Sequence, residues 1–397
     1  KMIKISWAIS LLTAMLMTSQ ISSATERVGN FALLDHKGIY HQLRKYGDSK
    51  AVVIISTATN CLENIEKLPK YRLLRTTWEN QGVSFLAINS SVDDDLADIR
   101  LMDSLHNVNL PILLDKSQLV AESLGLSKAG EIIVLEPNRS LVLYRGGLDI
   151  DARRARPDRG ITAQSGTTDL AKTLAAAVMD ELDSFDETVV TESVGCELDF
   201  PARDQHVSNV PDYATDVAPI LEEKCVSCHL EGGIAPFAMD SHMMVQGWSP
   251  MMKEVIMTKR MPPAQVDPSV NHFTNARYMN PDQLQTLIHW IDAGAPRGNS
   301  EVDPLARVRS PETVWELGEP DYIVEVPAFT VPATGVLDYE NVTINLPFEE
   351  DVWVRSIQHV PGDRRVLHHL LSYIVPADYD ERIVEGENDS YREFLEG

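Results

Sequence analysis

The run Lys224-Cys225-Val226-Ser227-Cys228-His229 constrains this chain more than any other stretch. Two thiols three positions apart, followed directly by an imidazole, make the Cys-x-x-Cys-His spacing that attaches a c-type haem. Each thiol can form a thioether to one vinyl of a single porphyrin, and His229 then offers a ring nitrogen to the iron. A zinc site would use four ligands, and Cys61 and Cys196 are the only further thiols among the 4 cysteines. A thioredoxin-like dithiol would not use the histidine. The surroundings suit haem. Asp216 is placed to cap a short helix from Val217 to about Lys224 that delivers the cysteines. Downstream, Pro262 and Pro263 stiffen a loop that presents Met261. A Met–His pair is the usual electron-transfer ligation and raises the iron potential. Met251, Met252 and Met257 lie at helical spacing and are expected in core packing. Asn280 and Pro281 form an N-cap and N1 pair. Leu284, Leu287, Ile288 and Ile291 follow at helical spacing, and Gly294 with Pro296 ends that helix. The whole predicts an all-α cytochrome c domain of class I type over residues 208–298. His206, His242, His272 and His289 lie in or around it, as weaker alternatives to Met261 for the iron.

Four stretches carry a resemblance: Asp216–Leu221, Gly232–Phe237, Arg260–Pro263 and Trp290–Pro296. They resemble the cytochrome segment of a bacterial multidomain family. In that family a redoxin-like domain precedes the haem domain, and a domain similar to the copper type II, ascorbate-dependent monooxygenases follows it. The resemblance covers nearly the whole chain after the leader and is strongest in the haem segment.

A chain of 397 residues suggests two to three domains. The formal net charge of -24 argues against nucleic acid and anionic membrane surfaces as partners. It suits a protein that meets basic patches on redox partner proteins. Lys1 precedes Met2, which places the expected start at Met2. Lys4, the apolar run Ile5–Met17 and the small residues Ser22-Ser23-Ala24 form a secretory leader cleaved after Ala24. Export to the periplasm or beyond agrees with haem attachment. No later stretch approaches 18 uninterrupted apolar residues, so no membrane span is expected after cleavage.

Residues 27–185 alternate strand-like and helix-like runs. Strands are expected at Ala51–Ser56, Val83–Asn89, Ile112–Leu114, Glu131–Glu136 and Leu141–Arg145. A helix over about Leu62–Asn80 should bury Leu68, Leu73, Leu74 and Trp78. A second, marked by Leu96, Ile99, Met102 and Leu105, follows, and Thr168–Leu182 closes the domain. This alternation implies a largely parallel sheet with helices on both faces. The order resembles a thioredoxin-like, redoxin-type domain. Cys61 then falls on the first cysteine of the thioredoxin motif, with Pro69 eight positions on. Asn64 occupies the second cysteine position, and Gly130 the place of the family's cis-proline. Three readings of Cys61 stay open: a peroxidatic or exchange thiol, a disulfide with Cys196 in an oxidising compartment, or an inert relic.

Residues 150–166 read as a surface loop. Residues 186–207 and 299–320 are charged and Pro-punctuated and read as linkers. From Asp321 short strand-like runs are separated by turn residues: Tyr322–Val326, Gly335–Tyr339, Val342–Leu346, Val352–His359 and Val366–Val375. They predict an all-β sandwich over 321–397. His368 and His369 are adjacent, so in a strand they face opposite sides; binding one metal would need a bend or different ring nitrogens. Residues 349–371 are similar to the first catalytic domain of the peptidylglycine- and dopamine-hydroxylating monooxygenases. That resemblance implies copper on His368 and His369. His359 is too close upstream to match that family's third histidine and reads as structural. The remaining ligands have no counterpart, and the β domain is expected to continue beyond Gly397.

The resemblance thus implies a haem relaying single electrons to a copper site that hydroxylates a small organic substrate. A non-catalytic electron-transfer protein with two docking domains is the alternative. A thiol peroxidase, carried by Cys61 alone, is a third.

Overall fold

The computed structural model describes residues 26–148, 168–181, 185, 187–263, 273–274, 276–308, 315–335, 337, 340–367 and 370–374. The expected leader, the loop 150–166, His272, His368 and His369 lie outside the described residues. The chain divides into two units, Lys1–Pro201 with Glu254–Met261, and Ala202–Lys253 with Pro262–Gly397.

The first unit begins with a hairpin of β1 (Ala32–Leu34) and β2 (Tyr40–Gln42). Then come β3 (Ala51–Thr57), α1 (Leu62–Ile65), α2 (Leu68–Trp78), β4 (Val83–Asn89), α3 (Leu96–His106) and β5 (Ile112–Leu114). The short α4 (Leu119–Ser123), β6 (Ile132–Glu136), β7 (Leu141–Gly146), α5 (Asp169–Val178) and β8 (Val189–Val190) complete it. Ala-Val-Val-Ile-Ile-Ser-Thr is buried at every position of β3, as a strand covered on both faces must be. It is central in the sheet order β5-β4-β3-β6-β7-β8. The sheet is mixed, not largely parallel as the alternation implied. β3, β4 and β5 are parallel, but β6 runs antiparallel to β3, and β7 antiparallel to β6. The β6–β7 sense has a local cause: the two are joined by the tight turn around Asn138–Ser140, and no crossover helix separates them.

Alternate residues of β3 feed two cores. Val53 and Ile55 pack with Leu68, Tyr71 and Trp78 of α2, Ile99 and Met102 of α3, and Leu174 of α5. Val52 and Ile54 pack with the hairpin and with Val120 and Ala121 of α4. Leu73, expected in the core, is exposed instead, as is Leu105 of α3. In α2 the buried stripe is Leu68, Tyr71, Leu74 and Trp78; Leu73 sits on the far side of that 3.6-residue period. Asp95 and Asp98 form a reciprocal capping box at the start of α3, worth about 1 kcal/mol.

The stretch expected to be a linker, 186–207, is instead largely built into the first unit. β8 pairs in parallel with β7. Farther on, Leu198 N donates to Ser127 O and Ala129 N to Cys196 O. Gly195 permits this approach, because a Cβ there would fall 1.7 Å from Ala129 O.

In the second unit α6 (Pro201–Ser208) is followed by a π-helical turn, Tyr213–Val217, that runs into α7 (Ala218–Lys224). The cap is Asp212, which accepts from Ala214 N and Thr215 N. Asp216, expected to cap, lies inside the turn and accepts from Asp212 N instead. α8 (His242–Met257), whose residues from Glu254 on group with the first unit, contains Pro250. Proline leaves Gln246 O without its helical donor, and Ser249 Oγ supplies a hydrogen bond to it at 2.8 Å. α9 (Pro281–Asp292) has the expected Asn280 cap, closed reciprocally by Gln283. It buries Leu287, Ile288, Trp290 and Ile291. Trp290 stacks on Tyr213 with ring centroids 5.8 Å apart.

The all-β sandwich expected over 321–397 is not formed among the described residues, none of which lies in a strand after Val190. Ile323, Leu371 and Ile374 are exposed, and Trp353 wholly so. Period-two alternation marks which side a residue would take. A strand exists only once a neighbour accepts its hydrogen bonds, and no such ladder forms here. No described helix is long and apolar enough to cross a membrane.

Candidate redox sites at two cysteine pairs

The first pair is Cys61 and Cys196, joined by a disulfide across 135 residues with Cα atoms 5.7 Å apart. Cys61 occupies the turn between β3 and α1, where it is the N-cap residue. It is fully buried, 0% exposed, whereas Cys196 is half-buried. Cys196 N–H points at Cys61 Sγ from 3.1 Å. The Glu63 carboxylate stands 3.6 Å from Cys61 Sγ and 3.3 Å from Cys196 Sγ. Lys67 Nζ donates to Val194 O, two residues before Cys196. Its ammonium is held below the usual lysine range by burial and by Lys70, against the pull of Glu63.

Asn64, at the second cysteine position of the thioredoxin pattern, is buried. Its Nδ2 donates to Thr57 Oγ1 at 2.7 Å, and its Oδ1 has no partner among the described residues. Gly130 adopts φ +94° and donates its N–H to Ser56 O. That φ favours glycine, so the position cannot hold the proline that the pattern would put there. The partner of Cys61 therefore comes from a strand-like segment far along the chain and not from the next helical turn. Glu63 is two residues from Cys61 in sequence, but nothing in the pattern assigned it to the site.

The second pair is Cys225 and Cys228, both unpaired. The C-terminus of α7 delivers Cys225, whose thiol burial pushes up to about 12. His229 Nδ1 lies 3.0 Å from Phe237 O. A carbonyl can only accept, so Nδ1 carries the proton and Nε2 is left as the lone-pair nitrogen. Burial holds the ring below the usual histidine range. Phe237 packs on His229 and stacks on Trp248 with centroids 4.6 Å apart. Ser227 accepts from Arg277 Nη1, and beside the motif Ser227, Leu230, Gly233, Ile234 and Arg364 help line a cavity of about 180 Å³. The backbone carbonyl of Phe237 leaves no trace in a sequence pattern.

Met261 ends the turn after α8, its N–H on Val255 O and its side chain exposed. It groups with the first unit, while Cys225, Cys228 and His229 belong to the second. Four described histidines have partners: His206 Nδ1 and His289 Nδ1 are 2.8 Å apart, His242 Nε2 donates to Ala295 O, and His359 Nε2 meets Ser372 Oγ. Asp303 accepts from Tyr213 OH, His242 N and Leu305 N. Burial raises its pKa, but these bonds outweigh that and leave it below the usual carboxylate range.

Residues 24–148 match the model of the AhpC/TSA family. Among solved structures the chain is similar to a hypothetical protein from Sinorhizobium meliloti 1021, with 22% identity and a TM-score of 0.35 over 44% of this chain and 93% of that one. A conserved protein from Geobacillus kaustophilus gives 22% identity and a TM-score of 0.35 over 46% and 94%. The peroxidoxin BcpB from Mycobacterium tuberculosis gives 19% and 0.27 over 30% and 82%. No curated protein matches the chain. The family match and the β5-β4-β3-β6-β7 order identify residues 24–148 as a thioredoxin-like α/β domain of the AhpC/TSA redoxin type.

Proposed function

We propose that this chain is a redox protein of an oxidising extracytoplasmic compartment, carrying a covalent haem c on Cys225, Cys228 and His229. One observation carries the haem reading. A single turn of chain presents two unpaired thiols and an imidazole whose Nδ1–H is already fixed on Phe237 O. Those residues fit the group: the thiols can form thioethers, and the fixed tautomer leaves Nε2 as the lone-pair nitrogen for the iron. When bound, the haem supplies a one-electron iron couple. Phe237 packs on the His229 imidazole and is itself stacked on Trp248, and Cys225 is half-buried at the end of α7. Met261 enters as the distal ligand from sequence alone.

The test is expression in a host that matures c-type cytochromes. Haem that stays with the polypeptide through denaturing electrophoresis is the expected result; a haem-free chain would sink the reading. Met261→Ala should then abolish the Met-ligated features of the spectrum with haem still attached. An unchanged reduced spectrum would remove Met261 from the site.

A second activity is favoured by the Cys61–Cys196 disulfide, of which Cys61 is buried and Cys196 only half-buried: thiol–disulfide exchange with a redox partner protein, in keeping with the redoxin fold. Opening by a dithiol with both thiols recovered is the expected outcome. The sequence resemblance adds a further step, hydroxylation of a small organic substrate at copper on His368 and His369, fed with single electrons. Copper content measured with and without His368→Ala tests it, and equal content in both would leave an electron-transfer protein with docking domains.

A further inference from the structure

The two sulfurs of the first site are not equivalent, and the difference sets the direction of exchange. Exchange proceeds by in-line attack of a thiolate on one sulfur while the other leaves, and access decides which is struck. Cys61 is 0% exposed, enclosed with Ala58 and Ala129. Cys196 lies half-buried on the segment 195–198, seated along Ser127–Ala129 by Ala129 N–H to Cys196 O and Leu198 N–H to Ser127 O. The leaving group is also prepared. A departing Cys61 thiolate already has Cys196 N–H aimed at it from 3.1 Å, and a hydrogen bond to the charged form stabilises it.

We propose that thiol–disulfide exchange enters this site at Cys196, with Cys61 as the buried leaving thiolate. This is the reverse of what the position of Cys61 at the head of its helix suggests, where the first cysteine would be the outer one. The proposal rests on the thiol–disulfide reading above and goes beyond it by assigning the two roles. The partner is a dithiol. Its first thiolate attacks Cys196 Sγ; the Cys61–Cys196 bond breaks, and the electron pair goes to Cys61. The partner's second thiolate then attacks its own sulfur in the mixed disulfide. That closes the partner's disulfide and releases Cys196. Two electrons pass from the partner to the chain, and the partner's two protons end on Cys61 and Cys196. Glu63, within 3.6 Å of both sulfurs, is placed to pass those protons. Its negative charge also opposes an approaching thiolate.

The experiment uses the full-length oxidised chain and reduced glutathione, a monothiol that stalls at the mixed disulfide. The mixture is quenched with iodoacetamide and the peptides are sequenced by mass spectrometry. Glutathione on Cys196, at least about tenfold over Cys61, with carbamidomethyl on Cys61, is the expected result. Glutathione mainly on Cys61, or equally on both, would overturn the assignment. So would no adduct at either cysteine in a chain that dithiothreitol opens. A disulfide that dithiothreitol does not open would instead sink the exchange reading itself. Glu63→Gln should speed adduct formation by glutathione several-fold; a slower reaction would show that the carboxylate does not obstruct the incoming thiolate.

Discussion

Cys61–Cys196 and Cys225/Cys228 use the same side chain for opposite ends. The first pair is separated by 135 residues, is bonded, and depends on two remote segments meeting. The second is separated by three positions, is unbonded, and sits with its histidine on one turn at the end of α7. A disulfide of the first kind ties the chain's entropy to the fold of the first unit. Thiols of the second kind are brought together by local geometry alone. The difference teaches that short spacing reports chemistry directly, while long spacing reports it only through the fold.

The contrast breaks first at the second pair. Cys225→Ser with Cys228→Ser should eliminate covalent haem altogether, read as loss of haem staining after denaturing electrophoresis. The Cys61–Cys196 disulfide should be untouched in that variant, and a loss of both would show that the pairs are not independent. The reverse exchange, Cys61→Ser with Cys196→Ser, should leave haem content unchanged and lower the stability of the first unit by about 3–5 kcal/mol. Urea unfolding followed by circular dichroism measures it. An unchanged midpoint would mean that the segment 189–198 holds its place through β8 and Ala129 alone.

Acid titration sharpens the comparison, because a buried carboxylate in the first unit and a half-buried one in the second shift opposite ways. Asp115 is fully buried, and burial raises it to about 6 despite hydrogen bonds from Ala121 N, Ser90 Oγ and Val120 N. An unfolded aspartate releases its proton near 3.8. Between those values the unfolded chain holds fewer protons, so the first unit loses stability as pH rises through the window, by up to about 3 kcal/mol. Asp303 in the second unit is lowered. Its contribution is present above the unfolded value and is lost as pH falls below about 4. Asp115→Asn should therefore flatten the pH dependence of the first unit between pH 4 and 6, and leave that of the second unchanged. Thermal melts at three pH values decide this, and a slope that persists in the variant would sink the assignment to Asp115.

The sequence showed the parts of this molecule that are local. β3, β4 and β5 were legible because their apolar runs are bounded by turn residues, and α9 because Asn280-Pro281 announces its start. The sheet's mixed sense was not legible, because antiparallel β6 and β7 have the same composition as parallel strands. The role of 186–198 was hidden by its acidic residues, which suit an open linker as well as they suit an edge segment. Gly195 and Gly130 are the positions where that hidden docking is decided, one by close approach to Ala129 O and the other by a positive φ. At the second site Cys225, Cys228 and His229 were plain, while Phe237 O is a backbone atom that any residue would provide. The alternation after Asp321 was present, yet it specified faces for a sheet that the described residues do not form.

The smallest expected effect tests whether the helical unit behaves independently of the disulfide-tied one. Asn280 accepts from Gln283 N at 2.8 Å, and Gln283 Oε1 accepts from Asn280 N at 3.1 Å. Asn280→Ala removes one of these bonds and frees the other's side chain, which costs about 1 kcal/mol at a helix start. The helix it begins buries Leu287, Ile288, Trp290 and Ile291, so the loss should appear as a lower melting temperature of the second unit only. The first unit's transition, set by β3 and the Cys61–Cys196 bond, should stay where it was. If both transitions moved together, the two units would unfold as one cooperative body, and the helical and disulfide-bearing units could not be titrated apart.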